Sequence, residues 1–254
     1  MTSSISVEWI LILVFLMGVV VSLFATLVGG GSLVTIPVLI LLGLPSQVAI
    51  ATNRFGNIGL LLAGLYKFGE KKLVNFKLGS ILSVFSVLGS IVGANLVLKA
   101  SDLALRQTIA IMTFLVLGIF ILKPQIGLRH RDLELHWGHW VLGILLSFGL
   151  GIYGGFFGAA VGTFFTYLQV LIFGESFLES AGTRKIPSTA LSLAATFIYM
   201  WHQKVLYTVG FSLFAGMALG SYIGAHYSTV LGNLWLRRLF ILVVVILAAR
   251  LLIF

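Results

Sequence analysis

The sequence predicts an all-α, polytopic membrane protein of eight to ten transmembrane helical elements, arranged as two inverted five-element repeats with broken or short helices. Three observations lead there. Of the 254 residues, 59% are hydrophobic and only 9% charged, where soluble domains carry roughly a quarter charged residues. Apolar runs of about 20 residues, the length that crosses a bilayer, follow one another almost without pause. They are continuously apolar, unlike the short alternating segments of a membrane barrel. Third, the chain repeats itself at a constant offset of 131 residues, without a gap.

That offset places Trp9 on Trp140, Gly18 on Gly149, Gly31 on Gly162, Thr35 on Thr166, Gly43 on Gly174 and Thr52 on Thr183. The clearest block is "GSIVGA" (89–94) against "GSYIGA" (220–225). Leucine matches would mean little in this composition; matched Trp, Gly and Thr mean more. The chain divides into a first transmembrane repeat at 1–122, a polar linker at 123–137 and a second repeat at 138–254. An odd number of crossings per half would turn direct repeats into inverted ones in the membrane.

Hydropathy sets the first-half elements near 8–28, 32–43, 46–66, 75–98 and 103–122. Those of the second half fall near 138–157, 159–173, 177–200, 207–230 and 234–253. The first is expected to stay in the mature protein, because "MTSSISVE" has no Lys or Arg and no small-residue cleavage site follows. The second element of each half is too short to cross and reads as a half-span or re-entrant helix. In "LVGGGSLVTIP" (27–37) three glycines, then Ser32 as N-cap and Pro37 after it, predict a helix break and a restart. A helix that starts inside a membrane aims free N–H groups and partial positive charge into a cavity. Its partner "AVGTFFTYL" (160–168) keeps Gly162 and Thr163 in the same positions. A packing kink is the alternative.

The third elements carry "ATNRFGN" (51–57) and "GTRKIPS" (182–188), where Arg54 falls on Lys185. A charge near the bilayer centre costs roughly 2.5–3.5 kcal/mol, which makes both functional candidates; snorkelling to the interface is the competing reading. Arg184 is one residue, about 100°, from Lys185 on a helix, so only one of the two is expected to face a cavity. In the fourth elements Gly89 and Gly93, and Gly216, Gly220 and Gly224, lie four apart. Like Gly143, Ser147, Gly151 and Gly155 they predict close helix packing.

The formal charge of +9 includes no basic run in a foldable soluble segment, so nucleic acid is not expected as a partner. The loop charges around Lys67, Lys71, Lys72 and Lys77, around Lys123, Arg129 and Arg131, and at Arg237 and Arg238 share one side. Lys99, Arg106 and Lys204 hold the other. This bias makes a multi-pass plasma-membrane protein with both termini non-cytoplasmic. With no cysteine, disulfide and thiolate chemistry is excluded. His136 and His139 lack the companions of a metal site and read as interfacial. No nucleotide loop, "HExxH" or "GxSxG" is present, so neither an enzyme nor a cofactor is expected. Glu175 and Glu179 are the candidates for a coupling proton, against plain loop positions.

With the stretch "GGGSLVTIPVLILLGLPSQVAIATN" and the duplication on the page, the chain resembles the sulfite exporter TauE/SafE family of membrane permeases. The resemblance covers nearly the whole chain and is carried best by Gly29, Gly30, Gly31, Pro37, Gly43, Ala49, Ala51, Thr52 and Asn53. It implies transport of sulfite, sulfoacetate or another small organic anion. The second half departs from the family pattern, with Leu168 where Pro37 has its equivalent. The expected substrate-binding set is Gly31, Ser32, Gly162 and Thr163 as N–H or hydroxyl donors. Thr35, Asn53, Thr166 and Gln169 would line the path, and Arg54 and Lys185 would balance charge. A passive anion channel, or an uptake permease for a small organic carboxylate, is the alternative.

Overall fold

The computed structural model describes residues 7–122 and 133–228, and every regular element among them is an α-helix. In the first half these are α1 (Val7–Val28), α2 (Ser32–Leu41), α3 (Ser46–Glu70), α4 (Phe76–Lys99) and α5 (Asp102–Leu122). The second half has α6 (Trp137–Phe156), α7 (Val161–Phe173), α8 (Phe177–Thr183), α9 (Lys185–Trp201) and α10 (Tyr207–His226). The expected element at 234–253 lies outside the described residues, as do Lys123, Arg129, Arg131, Arg237 and Arg238. Among the described residues five helices, α1, α3, α4, α6 and α10, are long and apolar enough to cross a membrane. At ~1.5 Å per residue, α2 and α7 reach only about 15 and 20 Å, short of the ~30 Å hydrocarbon core.

The third element of half two is two helices rather than one. Pro187 has no N–H to give the Thr183 carbonyl, so the hydrogen-bond ladder lapses between α8 and α9. Arg184 at the junction keeps right-handed helical angles (φ −60, ψ −19). Helix α3 runs to Glu70, four residues beyond the hydropathy limit, and Lys67 and Glu70 pair at 2.5 Å on its last turn.

The break after α1 is real, but its cap is not Ser32. Gly29 and Gly30 turn the chain at φ +86 and +83, where a Cβ is disfavoured, and Gly31 is the N-cap of α2. Ser32 is already helical; its hydroxyl instead accepts a hydrogen bond from Asn53 Nδ2 at 2.9 Å. In half two Ala160, the mate of Gly29, is the N-cap of α7 and adopts φ +60 despite its methyl group. Gly29 and Gly30 therefore set the turn's conformation.

Each half packs on the other. Helix α1 lies along α10 and α4 along α6, while α3 also packs on α10 and α4 on α9. The 131-residue offset maps α1 on α6, α3 on α8–α9 and α4 on α10, so exchanging the halves turns each of these contacts into another. Small residues make them close. A Cβ on Gly216, Gly220 or Gly224 would strike the carbonyls of Phe15, Val19 and Leu23, and one on Gly89 or Gly93 those of Phe148 and Ile152. Hydroxyls tie the same seams: Ser147 donates to the Leu82 carbonyl and Ser221 to that of Leu60, both at 2.7 Å. Large apolar side chains such as Leu16, Val20, Leu145 and Phe197 face outward, with exposed Trp9, Trp137 and Trp201 near helix ends. Such rings suit the membrane–water interface.

Substituting a seam glycine should separate helices. Gly220→Leu is expected to abolish the monodisperse peak in detergent size-exclusion chromatography. Gly149→Ala, with nothing within 4 Å of the added carbon, should leave that peak unchanged.

Candidate functional site

The two chain breaks meet. Residues 29–32 of the first turn and Gly158, Ala160, Val161 and Gly162 of the second line one small cavity of about 40 Å³. Asn57, from α3, and Arg184, Lys185 and Ser188 complete its polar lining. In α2 the N–H groups of Leu33 and Val34 turn back to the carbonyls of Gly30 and Gly31 at 2.8 and 3.1 Å. Those of Gly31 and Ser32 have no intrahelical acceptor, as at any helix start. In α7, Val161 bonds the Gly158 carbonyl at 3.3 Å and Thr163 that of Ala160 at 2.9 Å, leaving the Gly162 N–H. Two positive helix ends thus share one cavity.

Two cations line this point and a third lies behind the Gly158 turn, all buried. Arg184 reaches across to the last turn of α1, donating to the carbonyls of Thr26 (3.0 Å) and Leu27 (2.7 Å) and to the Thr166 hydroxyl (3.1 Å). Thr163 takes the next carbonyl, that of Val28, at 2.6 Å. Lys185 Nζ donates to the Thr26 hydroxyl at 2.8 Å, which uses one of its three protons. Arg54 donates to the Gly154 carbonyl at the end of α6, and its Nε and Nη1 have no hydrogen-bond partner. Each cation thus sits by the negative end of the other half's first helix, where it is stabilised. The ion pairs seen among the described residues, Lys67–Glu70 and Arg106–Asp102, include none of the three. A buried charge without a counter-charge is costly, and an anion in the cavity would offset that cost.

The expected site residues divide into three sets. Gly31, Ser32, Gly162 and Lys185 line the cavity. Thr35, Asn53, Thr163 and Thr166 stand one layer behind and fix the turns. Thr35 bonds Asn53, which holds Ser32; in the mate arrangement Arg184 bonds Thr166, whose hydroxyl also reaches the Gly162 carbonyl at 3.2 Å. Arg54 and Gln169 are elsewhere. Arg54 lies behind Gly158, where a Cβ would overlap its guanidinium, and is too buried to snorkel. Gln169 Oε1 accepts from Ser180 at 2.8 Å.

Sequence reasoning missed Arg184, Asn57 and Ser188 in the lining. Arg184 and Lys185 both face the cavity, contrary to the helical-wheel expectation, because the ladder lapses at Arg184 and its long side chain swings back. The signal was there: Asn57 and Ser188 are mates at the 131 offset, as are Asn53 and Arg184. Glu179 closes a capping box with Ser176, and the buried Glu175 accepts from the Thr183 hydroxyl at 3.0 Å. His136 is the N-cap of α6, and its backbone N–H donates to His139 Nδ1 at 3.2 Å.

Removing a charged donor from a buried hydrogen bond costs about 1.5–3 kcal/mol. Arg184→Gln, which strips two α1 carbonyls and Thr166, should therefore lower the thermal unfolding midpoint in detergent distinctly more than Lys185→Gln, which strips one hydroxyl.

The family model described as "Sulfite exporter TauE/SafE" matches residues 14–251. A probable membrane transporter protein of Haemophilus influenzae is 28% identical over 242 residues, covering 95% of this chain and 94% of its own. The probable membrane transporter protein YfcA of Escherichia coli is 25% identical across 94% of this chain and 88% of its own. YdhB of Bacillus subtilis, also named a probable membrane transporter protein, is 25% identical across 90% and 93%. No solved structure gives a significant match. With the membrane-spanning helices, these findings make the chain a multi-pass membrane transporter, not an enzyme, and it belongs to the sulfite exporter TauE/SafE family.

Proposed function

We propose that the protein is a secondary transporter, working as an exporter, for a small anion such as sulfite, sulfoacetate or another organosulfonate. The observation that carries this reading is the meeting of two helix N-termini with Lys185 and Arg184 at one cavity, with no carboxylate among its described lining residues. A sulfonate or sulfite presents three oxygens that each accept hydrogen bonds. The N–H groups of Gly31, Ser32 and Gly162, the Lys185 ammonium and the Ser188 hydroxyl would replace its water. Arg184, held by the α1 carbonyls, contributes charge without needing to move. The anion is then bound by preorganised dipoles, and the buried cations gain their missing counter-charge.

Transport requires access from each side in turn. Packing contacts that interchange when the halves are exchanged support inverted repeats, and the unlike surroundings of Lys185, in the cavity lining, and Arg54, behind Gly158, support a second state in which the halves swap roles, as alternating access requires. In that arrangement Arg54 and Lys185 would trade environments. A coupling proton would fall to Glu175, more buried than Glu179.

The test is flux of labelled sulfite and sulfoacetate in proteoliposomes under a controlled pH gradient. Lys185→Gln should lower flux by at least about tenfold, the equivalent of one charge-assisted hydrogen bond. Flux within twofold of native, in a variant that elutes as native, would remove the charge role. Flux by the native protein that ignores the pH gradient would favour a passive channel.

A further inference from the structure

Helix α9 carries more unmet polar groups than its packing needs. At about 100° per residue, Lys185, Ser188, Ser192, Thr196 and Tyr199 fall in a single sector roughly 80° wide, and all five are buried. The hydroxyls of Ser188, Ser192 and Thr196 have no hydrogen-bond partner. Their neighbour Thr189 shows the usual alternative, donating to the Lys185 carbonyl four residues back at 2.6 Å. The mates of the three in α3 are Asn57, Leu61 and Leu65. Half one thus fills two of these positions with leucine, so the fold itself does not call for hydroxyls there.

The stripe leads from the cavity to Arg54. At its far end Tyr199 donates to the Gly155 carbonyl at 2.7 Å, and Arg54 donates to the adjacent carbonyl of Gly154. Arg54 is fully buried, keeps two unpartnered nitrogens and lies outside the cavity lining. Gly158, which does line the cavity, presses against its guanidinium at φ +72.

We infer that Arg54 is a second anion station, that the Ser188–Ser192–Thr196 hydroxyls are the path joining it to Lys185, and that the Gly158 turn is the barrier between. The inference rests on the transport reading above. Its ligand is the same class, a compact oxyanion, whose lost water the hydroxyls replace over ~12 Å of helix.

The experiment pairs equilibrium binding of labelled sulfoacetate in detergent with its flux in proteoliposomes, for native protein, Ser192→Ala/Thr196→Val, Arg54→Lys and Arg54→Gln. The hydroxyl double variant should bind within twofold of native, lose at least tenfold in flux, and unfold at a temperature no lower than native, since it deletes unpaired polar groups. Arg54→Lys, which keeps the charge, should retain more flux than Arg54→Gln. Native-like flux in the double variant overturns the path; a parallel loss of binding and flux overturns the separate station. Absence of binding by the native protein overturns the transport reading first, and is read from the native arm alone.

Discussion

A helix that stops inside hydrocarbon exposes carbonyls and N–H groups that no water can satisfy, and the rest of this structure answers that constraint. Each N-terminal helix of a half ends in a turn, and the opposite half reaches across to carbonyls of its last turns. Arg184 and Thr163 take those of Thr26, Leu27 and Val28; Arg54 takes that of Gly154, while Tyr199, from the same half as α6, takes that of Gly155. Neither half completes its break alone, and the interleaved packing of α1 on α10 and α4 on α6 follows the same reciprocity. Glycine seams then let the backbones come close enough for the caps to reach.

The same geometry produces the site. Satisfying the negative ends of α1 and α6 brings cations into the core, and the positive ends of α2 and α7 begin just beyond the turns. The carbonyls are therefore covered by protein, while the N–H groups and part of Lys185 remain for something else. On the proposed reading, an anion completes the electrostatics. The halves differ at one telling place: where half one holds its second helix through Asn53 and Thr35, half two uses Arg184 and Thr166. The cavity thus gains a full charge on one side only, and its inner lining is not symmetric.

Much of the fold could be read from the sequence because hydropathy and the 131-residue offset are local or pairwise properties. The bounds of α1, α4, α6 and α7 fell within two residues of expectation, and the pairing of Gly31 with Gly162 pointed to the cavity. What escaped depended on three-dimensional detail. Helical-wheel geometry allows only one of Arg184 and Lys185 to face a cavity, and it fails where Pro187 interrupts the ladder. Arg54 looked equivalent to Lys185, yet Gly158 of the other half stands between it and the cavity, and no repeat alignment shows that. Thr35 and Thr166 were rightly paired but hold the turns from behind, because a threonine in the first helical turn bonds back to a carbonyl as readily as it faces a ligand.

The central claim is that the paired turns form an anion site. Its most direct measurement is the anomalous-scattering map of the protein crystallised with selenite, a heavy analogue of sulfite. The account predicts a single strong peak within hydrogen-bonding distance of the Gly31 and Gly162 N–H groups and of Lys185 Nζ. A saturating soak that leaves this cavity empty, or places the anion only at the exposed lysines of the loops, would contradict it.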